Sequence, residues 1–182
     1  MLRAVTAQYL SGERVDVTVV ARRLGLSRAT IYRWFGSREH LLGEVIATQL
    51  EQMIARKRRA VCTRGAPGLL EVFDQINRGL SRESALRRLI EQEPATIRML
   101  TSGSGVVHRR AVSSVRALIV GEVASGYYDP PADPETLAYA IVRLAEAFIF
   151  NDHGIRGDHE RLREVEAALL GVPIAGGGRV VR

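Results

Sequence analysis

The stretch ARRLGLSRATIYRWFGSREHLL, residues 21–42, constrains the fold more than any other part of the chain, because glycines and serines cut it into short helical lengths. At and just ahead of its start, Val17, Val20 and Leu24 recur at i, i+3 and i+7, the spacing that gathers apolar side chains on one helix face. Asp16 stands where an N-cap side chain accepts a backbone N–H, and Gly25 stands where a residue tolerant of the left-handed conformation ends a helix. Ser27 then caps a segment of about 28–35, Gly36 stops it, and Ser37 caps the helix that follows. Two helices joined by a glycine turn of about three or four residues have helix-turn-helix spacing. In that motif the N-terminal part of the second helix faces base edges in the DNA major groove.

Helical periodicity continues along nearly the whole chain. Strand signals are missing: alternating Val/Ile/Thr runs are few, and no Asn-Gly or Asp-Gly hairpin turn occurs. The predicted fold class is all-α. A first helix spans 2–10, with Leu2, Val5 and Tyr9 on one face. A long fourth helix, from 38 to about 62, carries Leu41, Leu42, Val45, Ile46, Leu50 and Met53 inward and closes on RKRR, residues 56–59, where the helix dipole favours cations. TRGAPG, 63–68, reads as a linker between a head (1–46, with its last helix running on to about 62) and a body (65–172). In the body, helices are expected at about 68–79, 82–92, 94–101, 106–125, 134–152 and 158–170, with YDPPAD, 128–133, as a breaker. Residues 173–182 close the chain as a glycine-rich, flexible tail.

The formal charge of +6 is unevenly spread, with +7 on residues 1–64 and −1 on the remainder. A basic head on a neutral body suits a polyanionic partner. The single cysteine, Cys62, cannot form a disulfide within the chain, which fits a reducing cytoplasm. No apolar run approaches the ~20 residues that cross a membrane, so no membrane partner is expected. Enzymatic chemistry finds no foothold. The histidines His40, His108, His153 and His159 are scattered, no metal-ligand spacing occurs, and SGSG at 102–105 lacks the preceding strand of a phosphate loop. Neither a metal nor a cofactor is expected.

Rotational positions sharpen the reading of the third helix. With Ile31 centred on the inward face, Phe35 lies roughly 40° away and is also buried. Ala29 and Arg33 then face outward, flanked by Thr30 and Tyr32, with Arg28 at the helix start. Ala29 permits close approach to the groove floor. Arg28 and Arg33 have the fork geometry that pairs with guanine O6 and N7, worth ~1–3 kcal/mol of discrimination. Thr30, Tyr32 and Arg38 suit phosphates.

VDVTVVARRLGLSRATIYRWFGSREHLLGEVI, 15–46, resembles the DNA-binding domain of the tetracycline-repressor (TetR) family of bacterial transcription regulators. The matching skeleton is Val20-Ala21, Gly25-Leu26-Ser27, Thr30-Ile31-Tyr32, Phe35, Ser37-Arg38-Glu39 and Leu41-Leu42. The resemblance implies a homodimer in which each N-terminal three-helix head binds double-stranded operator DNA. It also implies a C-terminal helical bundle that binds a small-molecule effector and dimerises. Such a protein is a sequence-specific regulator, most often a repressor released from a palindromic operator. By position, Arg28, Ala29 and Arg33 match base-reading sites, while Thr30, Tyr32, Trp34 and Arg38 match phosphate or groove-edge sites. Trp34 replaces a frequent histidine and Arg38 the usual lysine. Asp16 replaces a Ser or Thr, which leaves the phosphate contact there to Thr18 or the backbone.

PPADPETLAYAIVRLAEAFIF, 130–150, with 158–170, resembles the last helices of a quorum-signal-degradation (QsdR-type) actinobacterial subgroup. Leu137, Ile141, Leu144, Ala145 and Phe148 make this helix apolar on two faces, one for its own core and one for a symmetry mate. Arg143 and Glu146 interrupt it at i, i+3, suited to a mutual salt bridge or to the wall of a pocket. Further candidate pocket walls are Phe73, Ile76, Leu89, Met99, Leu100, His108, Val112 and Val115, which together suggest an apolar effector. Two other readings remain open: a helical small-molecule binder or enzyme whose head no longer binds DNA, and an interaction module that uses the basic head on acidic proteins.

Overall fold

The computed structural model describes residues 2–150 and 159–173, and every regular element among them is an α-helix. In order these are α1 (Leu2–Ser11), α2 (Val17–Leu24), α3 (Arg28–Phe35), α4 (Arg38–Ala60), α5 (Gly65–Arg82), α6 (Ser84–Gln92), α7 (Pro94–Leu100), α8 (Val106–Ala124), α9 (Pro134–Phe150) and α10 (His159–Leu170). The tail expected from 173 onward lies, beyond Pro173, outside the described residues, as does His153. No described helix is long and apolar enough to cross a membrane.

Local chemistry accounts for most helix ends. Asp16 accepts the Thr18 N–H at 2.7 Å and so caps α2. Ser37 Oγ accepts the His40 N–H at 3.0 Å at the start of α4. Asp133 Oδ1 takes the N–H groups of Glu135 and Thr136 at the start of α9. Lys57, Arg58 and Arg59 lie in the last turn of α4, at the negative end of its dipole.

The expected linker at 63–68 is corrected by the start of α5 at Gly65. Proline is compatible with a first helical turn, where the N–H it lacks has no intrahelical partner. Gly65 adopts φ +68°, and its N–H donates at 2.8 Å to the buried carboxylate of Glu122 on α8. Gly68 passes so close to the Thr63 carbonyl that no Cβ would fit.

The chain divides into two compact units. The first comprises residues 1–53 and 80–111, and the second residues 54–79 and 112–182. In the first, Val5, Val20, Ile31, Leu41, Leu42 and Val45 form the core of the three-helix head, and α6 and α7 belong to the same unit. Arg110 ties the start of α8 to α4, donating through Nη1 to Glu44 at 2.6 Å and through Nε to Glu51 at 2.7 Å. In the second unit, Leu69, Val72, Ile119, Leu162 and Leu170 are almost wholly buried, and α9 packs against α10. There Glu122 receives Arg58 at 2.6 Å and Arg64 at 3.1 Å. Burial alone would raise its pKa, but the Gly65 N–H and the two guanidiniums outweigh burial and hold it below the usual range.

Candidate nucleic-acid interface

The turn between α2 and α3 is closed by backbone chemistry. Gly25 takes φ +65°, and its N–H reaches the carbonyls of Ala21 and Arg22. The Leu26 N–H reaches the Ala21 carbonyl at 2.9 Å, which completes a Schellman motif. Ser27 Oγ then accepts the Thr30 N–H at 3.1 Å and lies 2.9 Å from the Thr30 hydroxyl. At the far end Gly36, with φ +72° and ψ −53°, sits at the centre of a γ-turn in which the Ser37 N–H donates to the Phe35 carbonyl. Two sharp turns thus fix both ends of an eight-residue helix.

Ile31 anchors α3 from below and is buried, while Phe35 is half-buried. The outward face carries the residues expected there. Arg28, Ala29, Tyr32 and Arg33 are exposed, Thr30 is half-buried, and Trp34 is 53% exposed. The Arg28 guanidinium lies over the Tyr32 ring, 6.0 Å from its centroid, which pairs the two side chains one turn apart. Thr18 is exposed at the start of α2 beside Asp16, whose carboxyl the Thr18 N–H holds below its usual pKa. The charge of Arg28 contributes to the same depression. Asp16 is therefore an anion at neutral pH, and any phosphate contact near it falls to Thr18 and the helix N-terminus.

Arg38 departs from the expectation. Its side chain is only 14% exposed, and its fork closes on Glu93 with two hydrogen bonds of 2.7 Å. Sequence reasoning missed Glu93. Its place before Pro94 marks it as a helix boundary, but nothing in the sequence ties it to an arginine 55 positions earlier.

The effector-pocket candidates do not fall within one unit. Leu89, Met99, Leu100 and His108 belong to the first, where Met99 is exposed and the other three are buried. Phe73, Ile76, Val112, Val115, Arg143 and Glu146 belong to the second. Arg143 pairs with Glu146 at 3.1 Å and lies 5.4 Å from the centroid of the Tyr139 ring. The dimer-face candidates also separate. Leu137 and Ile141 are each 2% exposed within a single chain, so they serve the unit's own core and leave the surface to others. Leu144, Ala145 and Phe148 stay half-buried, and Tyr139 on α9 and Val165 on α10 are exposed.

A doubly capped helix with an outward set of two arginines, a tyrosine and a tryptophan, on an all-helical chain, defines a helix-turn-helix DNA-binding regulator. Residues 13–45 match the family described as bacterial regulatory proteins, tetR family, and residues 64–171 match the tetracyclin repressor-like C-terminal domain. The chain belongs to the TetR family of transcriptional regulators. It is similar to the solved structure of the transcriptional repressor QsdR of R. erythropolis, with 27% identity and a TM-score of 0.85 over 95% of this chain and 93% of that one. The fatty acid degradation regulator FadR of Bacillus halodurans shares the fold at 16% identity, with a TM-score of 0.57 over 98% and 97% of the two chains. No curated protein sequence matches the chain.

Proposed function

We propose that the chain is a one-component repressor. It binds a near-palindromic operator as a homodimer and leaves it when a small-molecule effector occupies the C-terminal domain. One observation carries the reading: α3 is capped at both ends, anchored by Ile31, and exposes Arg28, Ala29, Tyr32 and Arg33 on one side. In this reading Arg28 and Arg33 read guanines, and Ala29 lets α3 sit deep in the groove. Thr18, Thr30, Tyr32 and Trp34 hold phosphates or the groove edge and set register without reading sequence. The match to a tetracyclin repressor-like C-terminal domain and the likeness to a repressor support effector control.

Dimerisation is supported by apolar side chains left at the surface of the second unit: Tyr139 on α9, Val165 on α10 and the half-buried Leu144 and Phe148. A two-fold pair would set two α3 helices about 34–36 Å apart, facing successive major grooves. The effector acts through different affinities for the DNA-bound and released states, which requires no catalysis. Phe73, Ile76, Val112 and Val115 in the second unit favour an apolar effector. The reading implies a cytoplasmic protein, since it requires access to operator DNA.

The test is selection of duplexes from a random pool by the full chain. The expected product is a two-fold-related sequence with half-sites about 10–10.5 bp apart. Arg33→Ala should relax preference at one base pair per half-site, and Tyr32→Ala should weaken binding to all sequences alike. Enrichment of no sequence, or indifference to both substitutions, refutes the reading.

A further inference from the structure

Arg38 opens α4, at the position where the TetR resemblance places a phosphate contact, yet its guanidinium is held from three sides by the protein. Nη1 and Nη2 donate to Glu93 Oε2 and Oε1 at 2.7 Å each, and Nε donates to the Val15 carbonyl at 2.8 Å. Val15 is buried and immediately precedes Asp16, the N-cap of α2. Glu93 sits at the α6–α7 junction. Its N–H closes α6 on the Leu89 carbonyl at 2.8 Å, and its carboxylate also receives the Thr96 hydroxyl at 3.2 Å in the first turn of α7. A single side chain therefore joins the start of α2, the start of α4 and the α6–α7 junction, all within the first compact unit. The recognition helix α3 lies between the two head positions so joined.

Residue type matters here. A two-bond fork onto a carboxylate is arginine geometry, whereas lysine, usual at this position in the family, carries one point charge and cannot make both bonds and a third to a carbonyl. Arg38's hydrogen bonds hold the Glu93 pKa below its ordinary range, and Glu93's hydrogen bonds raise that of Arg38, so the pair is ionised throughout the neutral region. Arg14, 3.6 Å from Glu93, adds a second and well-exposed cation.

We propose that Arg38 is a positioning residue for DNA binding, with Glu93 as its anchor. Glu93 thereby makes the α6–α7 junction part of the DNA-reading head. A displacement of that junction changes the placement of α3 through the guanidinium, without any contact between Glu93 and DNA. The inference rests on the DNA-binding reading of α3. The competing assignment, a phosphate contact by Arg38, predicts the opposite sign: Glu93 would then be a rival of DNA, and removing its charge would free the arginine and tighten binding.

The experiment uses the full chain and a duplex of about 30 bp selected by that chain from a random pool. Affinity is measured by fluorescence anisotropy across a series of NaCl concentrations for Glu93→Gln, Arg38→Ala and the double variant. Each single substitution should weaken binding about tenfold, the loss expected when a charge-assisted pair is broken. The double variant should bind no more weakly than Arg38→Ala, because both changes remove one interaction. The slope of log affinity against log salt should match that of the unaltered chain in every case, since no phosphate contact disappears. Tighter or unchanged binding by Glu93→Gln overturns the proposal. A slope that falls by about 1 in Arg38→Ala also overturns it, because that is the signature of a lost phosphate contact. Thermal melts accompany each variant, and if Arg38→Ala does not fold, the sign of the Glu93→Gln effect alone decides. Arg33→Ala separates the two levels. Should it relax base preference while the Glu93 and Arg38 variants bind normally, only the positioning role falls. Should the unaltered chain select no duplex at all, the DNA reading falls with it.

Discussion

Glu166 on α10 gives the second unit a pH-dependent stability that can be worked out from its surroundings. The residue is 0% exposed. Its Oε1 accepts a hydrogen bond from Asn77 Nδ2 at 2.9 Å, and Oε2 has no partner among the described residues. Burial pushes its pKa from 4.5 up to about 7, with a further push from the charge of Asp74 and an opposing pull from Asn77. The folded state therefore holds a proton that the unfolded chain releases between these two values. Stability is fully present below pH 4.5, falls as pH rises through the interval, and levels off above 7. A rise of that size corresponds to about 3 kcal/mol. Glu166→Gln retains an acceptor for Asn77 but cannot ionise. The variant should match the parent near pH 4.5 and exceed it by about 3 kcal/mol at pH 8, a Tm difference of about 6–12 °C for a chain of this length. Far-UV circular dichroism melts from pH 4.5 to 8 at constant ionic strength provide the comparison. Parallel Tm curves for parent and variant over that range would refute the reasoning, because they would show that Glu166 titrates alike in both states.

Other residues give independent tests. Trp34 is the only tryptophan in the chain and is exposed beside the reading face, so a selected duplex should change its emission; an unaltered spectrum at saturation argues against α3 in the groove. Ser27→Ala removes the α3 N-cap and should cost about 1 kcal/mol in a chemical melt, with weaker duplex binding in proportion. Gly25→Ala places a side chain at φ +65° in open space, so the penalty is conformational, about 1 kcal/mol, and no steric rearrangement should accompany it. Glu122→Ala leaves the Gly65 N–H and two arginines without their carboxylate and should lower stability by about 2–4 kcal/mol, read as a shift in urea midpoint at pH 7.

The head was legible in the sequence because its determinants are local. Asp16, Gly25, Ser27, Gly36 and Ser37 each act within a few residues, and the apolar spacing around Ile31 decides which side of α3 faces out. What escaped the sequence depends on distant partners. The first turn of α5 looks like a linker until Glu122, 57 residues away, supplies its missing acceptor. The apolar helix α9 announces two buried faces, but periodicity cannot say which is the protein's own core, and Leu137 and Ile141 turn out to lie there. Glu166, within the charged run RLREVEAALL, reads as one more solvated acid, and only the packing of α10 shows it buried beside Asn77.

Arginine shows the same division most clearly. Arg28, Arg33 and Arg38 lie within eleven residues of a basic head, and residue type and charge treat them alike. Their surroundings do not. Arg33 is exposed, with no hydrogen bond or ion pair to another described residue, and Arg28 is exposed too, lying over the face of Tyr32 with its charge felt by Asp16. In the proposed reading both keep their donors for DNA. Arg38 has its fork closed by a carboxylate and its Nε by a carbonyl. A helix as short as α3 is not stable alone in water, so its orientation must come from caps, from Ile31 and from whatever braces the helices on either side. Reading and bracing need opposite environments: a reading guanidinium must stay unpaired until DNA arrives, and a bracing one must be paired beforehand. On the proposed reading the same side chain serves both needs in this head, because the carboxylate of Glu93 meets Arg38 and neither of the other two.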